Sequence, residues 1–284
     1  MCLCFLATWK VTCGMVSANG ETRMKKRLGP ALALMVLCAF SASALDTAQF
    51  SKTCTITLAG YTGSTTLAGF PVLVRLSSAI EGFDYADVMQ GGADICFTDS
   101  SGNQLAHEID TWNDAGESLV WVKVPSLSGT TTQIRLYYGS GTATANTPAN
   151  VWTKYATVVH GGASPFDSSP NARAVTVGPN TIAIADGRLG AANFITNRVT
   201  DTAGIFVANP QTVMTDSTRF TISAWLTEEK SGQTHILFGS MNAWNTVGFL
   251  ILNEGGRELS FTSRGASGDG SGHKRAGWTW TPGE

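Results

Sequence analysis

From Ala48 to Tyr138 apolar and polar residues alternate almost one by one, the pattern of strands with one face in a core and the other toward water. Cys54, Ile56 and Leu58 alternate with threonines, and Phe70, Val72, Val74 and Leu76 form a second run. Ile95 and Phe97 mark a third strand, and Leu105, His107 and Ile109 a fourth. In a fifth, Val120, Val122 and Val124 face one side while Leu119, Trp121 and Lys123 face the other; Ile134, Leu136 and Tyr138 complete the set. Gly60 to Ser64, Gly91-Gly92, Asp99 to Gly102, Asn113 to Gly116 and Ser126 to Gly129 supply turn chemistry between them. Short alternating strands punctuated in this way predict an antiparallel β-sandwich over residues 45–139.

Gly139 to Asn150 carries no charge and almost no apolar side chain, which predicts a linker over residues 140–154. Strand patterns resume at Ala156–His160 and Thr181–Ile184, and are strongest at Phe220–Trp225, His235–Phe238, Gly248–Leu252 and Leu259–Phe261. The predicted fold class is therefore all-β: two antiparallel β-sandwich domains, the second over residues 155–284; that they are jelly-roll-like and the second incomplete is what the family resemblance given below implies.

One segment breaks the period of two. Met24 to Ala44 places Lys25, Lys26 and Arg27 before the apolar run Ala31–Phe40 and ends on Ala42-Ser43-Ala44, the layout of a cleaved secretory signal. The run is about ten residues long, whereas roughly twenty are needed to span a bilayer. Residues 1–23 then read as an over-extended start, and the expected location is secreted or cell-surface, with no transmembrane segment after cleavage. Removing residues 1–44 takes five of the 19 basic residues and one of the 21 acids, leaving a net charge of −6. With no Lys/Arg cluster, that balance excludes nucleic acid as a partner. High glycine, 31 residues, and a low charged fraction of 14% suit short strands joined by many turns.

Of six cysteines only Cys54 and Cys96 follow Ala44. In an exported chain they are candidates for a disulfide closing a loop of about 40 residues, contributing about 3–4 kcal/mol. Two buried thiols in adjacent strands is the other reading.

Glu108, Asp110 and Trp112 stand two apart, which places them on one strand face at about 6–7 Å per step. An aromatic platform with neighbouring carboxylates is the arrangement that holds sugars, so these three are the candidate ligand-binding residues. Paired carboxylates at that spacing also suit glycosidase chemistry. A packed edge tryptophan with exposed acids is the structural alternative. Calcium is the one cofactor left open: Asp94, Asp99, Asp110 and Asp269 offer oxygens, although no D-x-[DN]-x-[DN]-G loop occurs. The four histidines are scattered and no G-x-S-x-G elbow is present. No catalysis is expected.

The blocks GFPVLVRL (69–76), GFDYADVMQGGADICFTDSSGNQLAHEIDTW (82–112), SLVWVKVPSLSG (118–129) and LYYG (136–139) resemble the domain of unknown function 2341, which implies an exported bacterial protein. Val158-Val-His160, Asp167–Asn171, FTISAWL (220–226) and GFLILNEGGRELSF (248–261) resemble a laminin-G or concanavalin-A-like domain, which implies a lectin-like fold. Together these imply recognition or adhesion, with carbohydrate or a cell-surface protein as partner. The alternatives are a structural or protein–protein spacer of a surface assembly and an accessory module of a larger extracellular hydrolase.

Overall fold

The computed structural model describes residues 9–15, 45–144, 147–185, 187–195, 204–208, 221–226, 235–239, 248–254, 258–264 and 272–277. The segment read as a signal, Met24–Ala44, and Asp269 lie outside the described residues. Compact units run from Leu3 to Phe206 and, with Met1–Cys2, from Val207 to Glu284.

In the first unit the alternating runs become β2 (Lys52–Leu58), β3 (Leu67–Ser77), β4 (Cys96–Asp99), β5 (Gln104–Leu105), β6 (His107–Thr111), β7 (Glu117–Leu127) and β8 (Gln133–Tyr138). They form two antiparallel sheets. One has the order β1-β2-β8-β4-β5, in which β1 (Trp9–Met15) pairs along the edge of β2; the other is β3-β7-β6. Residues read as an over-extended start thus supply a strand to this sheet.

The period of two decides what lies between the sheets. Cys54, Ile56, Leu58, Ile134, Leu136 and Tyr138 of one sheet and Val72, Val74, Leu76, Val120, Val122 and Val124 of the other are all buried in one cluster. This is the sandwich the alternation predicts.

The Cys54–Cys96 bridge does not form. Cys96 is a free, buried thiol, while Cys54 is disulfide-bonded elsewhere. Cys54 lies opposite Leu136 and Cys96 opposite Tyr137, so the two sit on either side of β8, about 9–10 Å apart at strand spacing. Leu136 and Tyr137 are consecutive and face opposite sides of the sheet. Both separation and direction exceed what a disulfide spans.

Residues 140–154, expected as a linker, are fastened to the sandwich. Thr144 donates its amide to the Ala93 carbonyl (2.7 Å) and Thr147 its amide to that of His107 (3.0 Å). The short helix α1 (Pro148–Val151) then buries Val151 and Trp152. Small uncharged residues let this backbone approach the strand ends, and composition alone does not distinguish that from a free tether.

Beyond Val159, which makes a single bridge with Asp167, come two two-stranded pairs: β10 (Thr181–Ile184) with β11 (Ala192–Ile195), and β9 (Val175–Val177) with β12 (Ile205–Val207). The second unit contains an antiparallel meander of β13 (His235–Gly239), β14 (Gly248–Glu254), β15 (Glu258–Arg264) and β16 (Gly272–Gly277). Residues 221–226, expected as a strand, carry none.

Candidate functional site

The chemistry gathers on the outer face of the β3-β7-β6 sheet. Glu108 and Asp110 point away from the sandwich interior, as the two-residue spacing predicts, and Trp121 of β7 stands beside them because Glu108 pairs with Trp121 in register. This face is not open to water. Residues 147–173 fold over it, and Glu108 becomes one of the most buried residues, at 1% exposure.

A buried carboxylate must be hydrogen-bonded or neutral. Glu108 is satisfied entirely by the covering segment. The Trp152 indole donates Nε1–H to Oε2 (2.5 Å), the Ser168 hydroxyl donates to Oε1 (2.5 Å), and His160 Nε2 lies 3.3 Å from Oε2. Asp110 accepts the Trp121 indole N–H at 3.1 Å, and its Oδ2 lies 3.3 Å from His160 Nδ1. His160 therefore bridges both carboxylates. Its ring stacks at 28° to Trp121 and meets Trp152 at 5.9 Å, and the two tryptophans pack edge to face at 5.2 Å.

The electrostatics follow from these contacts. Burial alone lifts a carboxyl, but the bonds from His160, Ser168 and Trp152 outweigh it and hold Glu108 below its ordinary range. At Asp110 burial wins: the His160 charge and the Trp121 bond offset it only in part, and the carboxyl is pushed up. Burial would lower His160, yet the Glu108 bond and the charges of Asp110 and Glu108 raise it. The cluster is an ion-paired lock in which one histidine faces two buried carboxylates.

Trp112 is not the third member of the row. The β6–β7 register slips between Ile109, opposite Val120, and Thr111, opposite Leu119. One extra residue on β6 makes a bulge, and every side chain beyond it changes face. Trp112 accordingly turns inward, packs on the core cluster and meets Tyr85 edge to face at 5.4 Å. Gly92, at φ +75°, leaves room for the ring: a Cβ there would lie 2.5 Å from Trp112 Cζ3.

Sequence reading put Glu108 and Asp110 on one strand face, where the structure has them, and did not bring Trp121, Trp152, His160 and Ser168 to them. Trp121 was legible as an outward residue of β7. His160 and Ser168 stand 52 and 60 residues from Glu108; His160 ends the run expected as a strand at Ala156–His160, of which the structure keeps only the Val159–Asp167 bridge.

Asp94 and Asp99 do not converge on a calcium site. Asp94 accepts the amides of Met89, Gly139 and Ser140, and Asp99 those of Ser101 and Asn103, so each holds a turn in a different place. Among the described residues no group of acids, histidines and cysteines is arranged to hold a metal ion.

Beside the lock lies a cleft of about 180 Å³, lined by Asp110, His160, Gly162, Ser164 and Phe166, with Glu108 and Ile109 beneath. The Phe166 ring is 54% exposed. A larger hollow of about 320 Å³ adjoins Arg75, Thr111, Asn113 and Glu117, but there the Arg75 guanidinium already pairs with Glu117 at 2.5 Å.

Residues 91–160 match a family described as "Domain of unknown function (DUF2341)". The matched stretch takes in Glu108, Asp110, Trp121 and Trp152 and ends on His160, so it holds every member of the lock except Ser168. It starts later and runs further than the blocks quoted above, covering the fastened residues 140–154. No curated protein and no solved structure matches the chain.

Proposed function

We propose that this chain is a non-catalytic recognition module of an exported bacterial protein and that it binds carbohydrate in the cleft beside Asp110 and His160. The observation that carries the reading is Phe166, a half-exposed aromatic residue lining a cleft that also presents Asp110, His160 and Ser164. A sugar offers an apolar C–H face to such a ring and hydroxyl donors to a neighbouring carboxylate. The cleft has room for about six waters, on the scale of one sugar ring. The absence of catalysis is supported by Glu108, both of whose oxygens are engaged by Trp152, Ser168 and His160, so that the Glu108–Asp110 pair is not free to work across a glycosidic bond. Export rests on the Met24–Ala44 segment, and a lectin-like C-terminal part rests on the resemblance of residues 155–284 to laminin-G domains.

A second reading, a structural spacer within a surface assembly, is favoured by the inward turn of Trp112 and by the covering of the Glu108 face. A glycan-binding screen of the chain, with and without calcium, separates the two. Saturable binding abolished by Phe166→Ala supports the cleft. Its absence from the folded chain overturns carbohydrate recognition and leaves the spacer. Binding that survives Phe166→Ala moves the site elsewhere.

A further inference from the structure

The lock has a property that no ligand is needed to reveal. Both ring nitrogens of His160 face carboxylate oxygens at 3.3 Å, Nε2 toward Glu108 and Nδ1 toward Asp110. An ionised carboxylate only accepts hydrogen bonds, and a neutral imidazole donates from one nitrogen alone. Satisfying both contacts requires a proton beyond the neutral imidazole, carried by the ring or shared with Asp110.

We propose that His160, clamped between Glu108 and Asp110, is a proton-operated latch that holds residues 147–173 on the outer face of the β3-β7-β6 sheet and loosens them when its proton leaves.

The groups around the ring determine the direction. From β6 the titratable groups facing His160 are Glu108 and Asp110. β7 contributes the neutral Trp121 indole, and its Lys123 is turned to the Asn150 carbonyl and the Thr153 hydroxyl. The covering segment brings neutral Trp152 and Ser168, while Asp167 is held by the amides of Val158, Ser169 and Arg173. Lys154 of the covering segment is turned to the Ala68 carbonyl, and among the described residues His160 is the cation paired with Glu108 and Asp110. Loss of that charge leaves two carboxylates, with exposed fractions of 2% and 8%, sharing one neutral ring. Unpaired buried charge is the costly outcome, so the segment opens to admit water.

The sign is that of a histidine whose proton is held more tightly in the folded state. Its contribution is complete below the unfolded pKa of about 6.5 and is lost as pH rises through the higher folded value. His107, the other buried histidine of this unit, is pushed down to about 4 by burial, so its slope falls on the acid side, between about 4 and 6.5, and is opposite in sign to the latch's.

Native-state hydrogen exchange on the full chain from pH about 5.5 to about 9.5 tests this, read as protection factors so that intrinsic exchange divides out. Amides of residues 147–173 should lose protection on the alkaline side, by up to tenfold per pH unit between about 6.5 and the latch's folded pKa and levelling off above it, while β2 and β8 keep theirs. In His160→Gln the segment should be less protected and flat with pH. Asp110→Asn removes one of the two carboxylates that hold the proton and should move the wild-type transition to lower pH. The proposal is overturned by flat wild-type protection of the segment, which needs no variant to fold, or by an unchanged alkaline slope in His160→Gln. Neither result depends on sugar binding, so the latch and the cleft stand or fall separately.

Discussion

Glu108→Ala is the sharpest perturbation of the structure that fastens residues 147–173 to the sandwich. The carboxylate takes three donors: the Trp152 indole, the Ser168 hydroxyl and His160. Each hydrogen bond to a charged group contributes about 1.5–3 kcal/mol net, and the three are not additive because they share one acceptor group. Truncation strands the Trp152 and Ser168 donors in a dry site and leaves the His160 charge with Asp110 alone. Breaking a buried ion pair from one side costs about 3–5 kcal/mol, which sets the expected loss. In a unit of this size that is about 6–20 °C in Tm. Glu108→Gln keeps the shape and one good acceptor but turns an amide N–H₂ toward the donors, so it should cost less, about 1–3 kcal/mol. Urea unfolding followed by tryptophan fluorescence measures both, with Trp121 and Trp152 reporting from the site itself. A Glu108→Ala protein within about 0.5 kcal/mol of wild type, the range of ordinary surface changes, would refute the anchoring role.

The bulge and the buried core histidine give two further expectations. Gly91→Ala and Gly92→Ala both force a side chain to positive φ, but only the second meets a ring, with Trp112 Cζ3 2.5 Å from the added Cβ and nothing within 4 Å at Gly91. Gly91→Ala should cost about 1 kcal/mol and Gly92→Ala about 2–4 kcal/mol in urea unfolding; equal costs would mean that Trp112 does not pack there. His107 is 1% exposed, packs against Phe97 and has its Nδ1 without a hydrogen-bond partner. With its folded pKa pushed down to about 4, it favours the unfolded state as pH falls from about 6.5 to about 4, by about 3 kcal/mol in all. His107→Leu should flatten that acid limb in a pH series of unfolding curves, and an unchanged limb would show that burial does not keep the ring neutral.

Much of the first sandwich was legible because its signal is local. Alternation assigns each residue of β2, β3, β7 and β8 to a face by its own position in the strand, and Val120, Val122 and Val124 lie inward for the same reason that Trp121 lies outward. The same rule put Glu108 and Asp110 side by side, and failed one step later at Trp112. A bulge is a property of a pair of strands: only the register of β6 against β7 shows that Asp110 and Thr111 together occupy the place of one residue.

What the sequence by itself determined about this protein is the all-β class, the positions of the first sandwich's strands and the shared face of two acids, each a matter of residues within a few places of one another. Tertiary structure decided whether that face meets water. It brought Trp152, His160 and Ser168 across 44 to 60 residues onto Glu108, turning acids that read as exposed into a buried ion-paired lock. It also decided the cysteines, which β8 separates in distance and in face. The physical reason is common to both. A side chain's direction is set by its own backbone, but its burial, partners and protonation are set by whatever other part of the chain arrives to cover it.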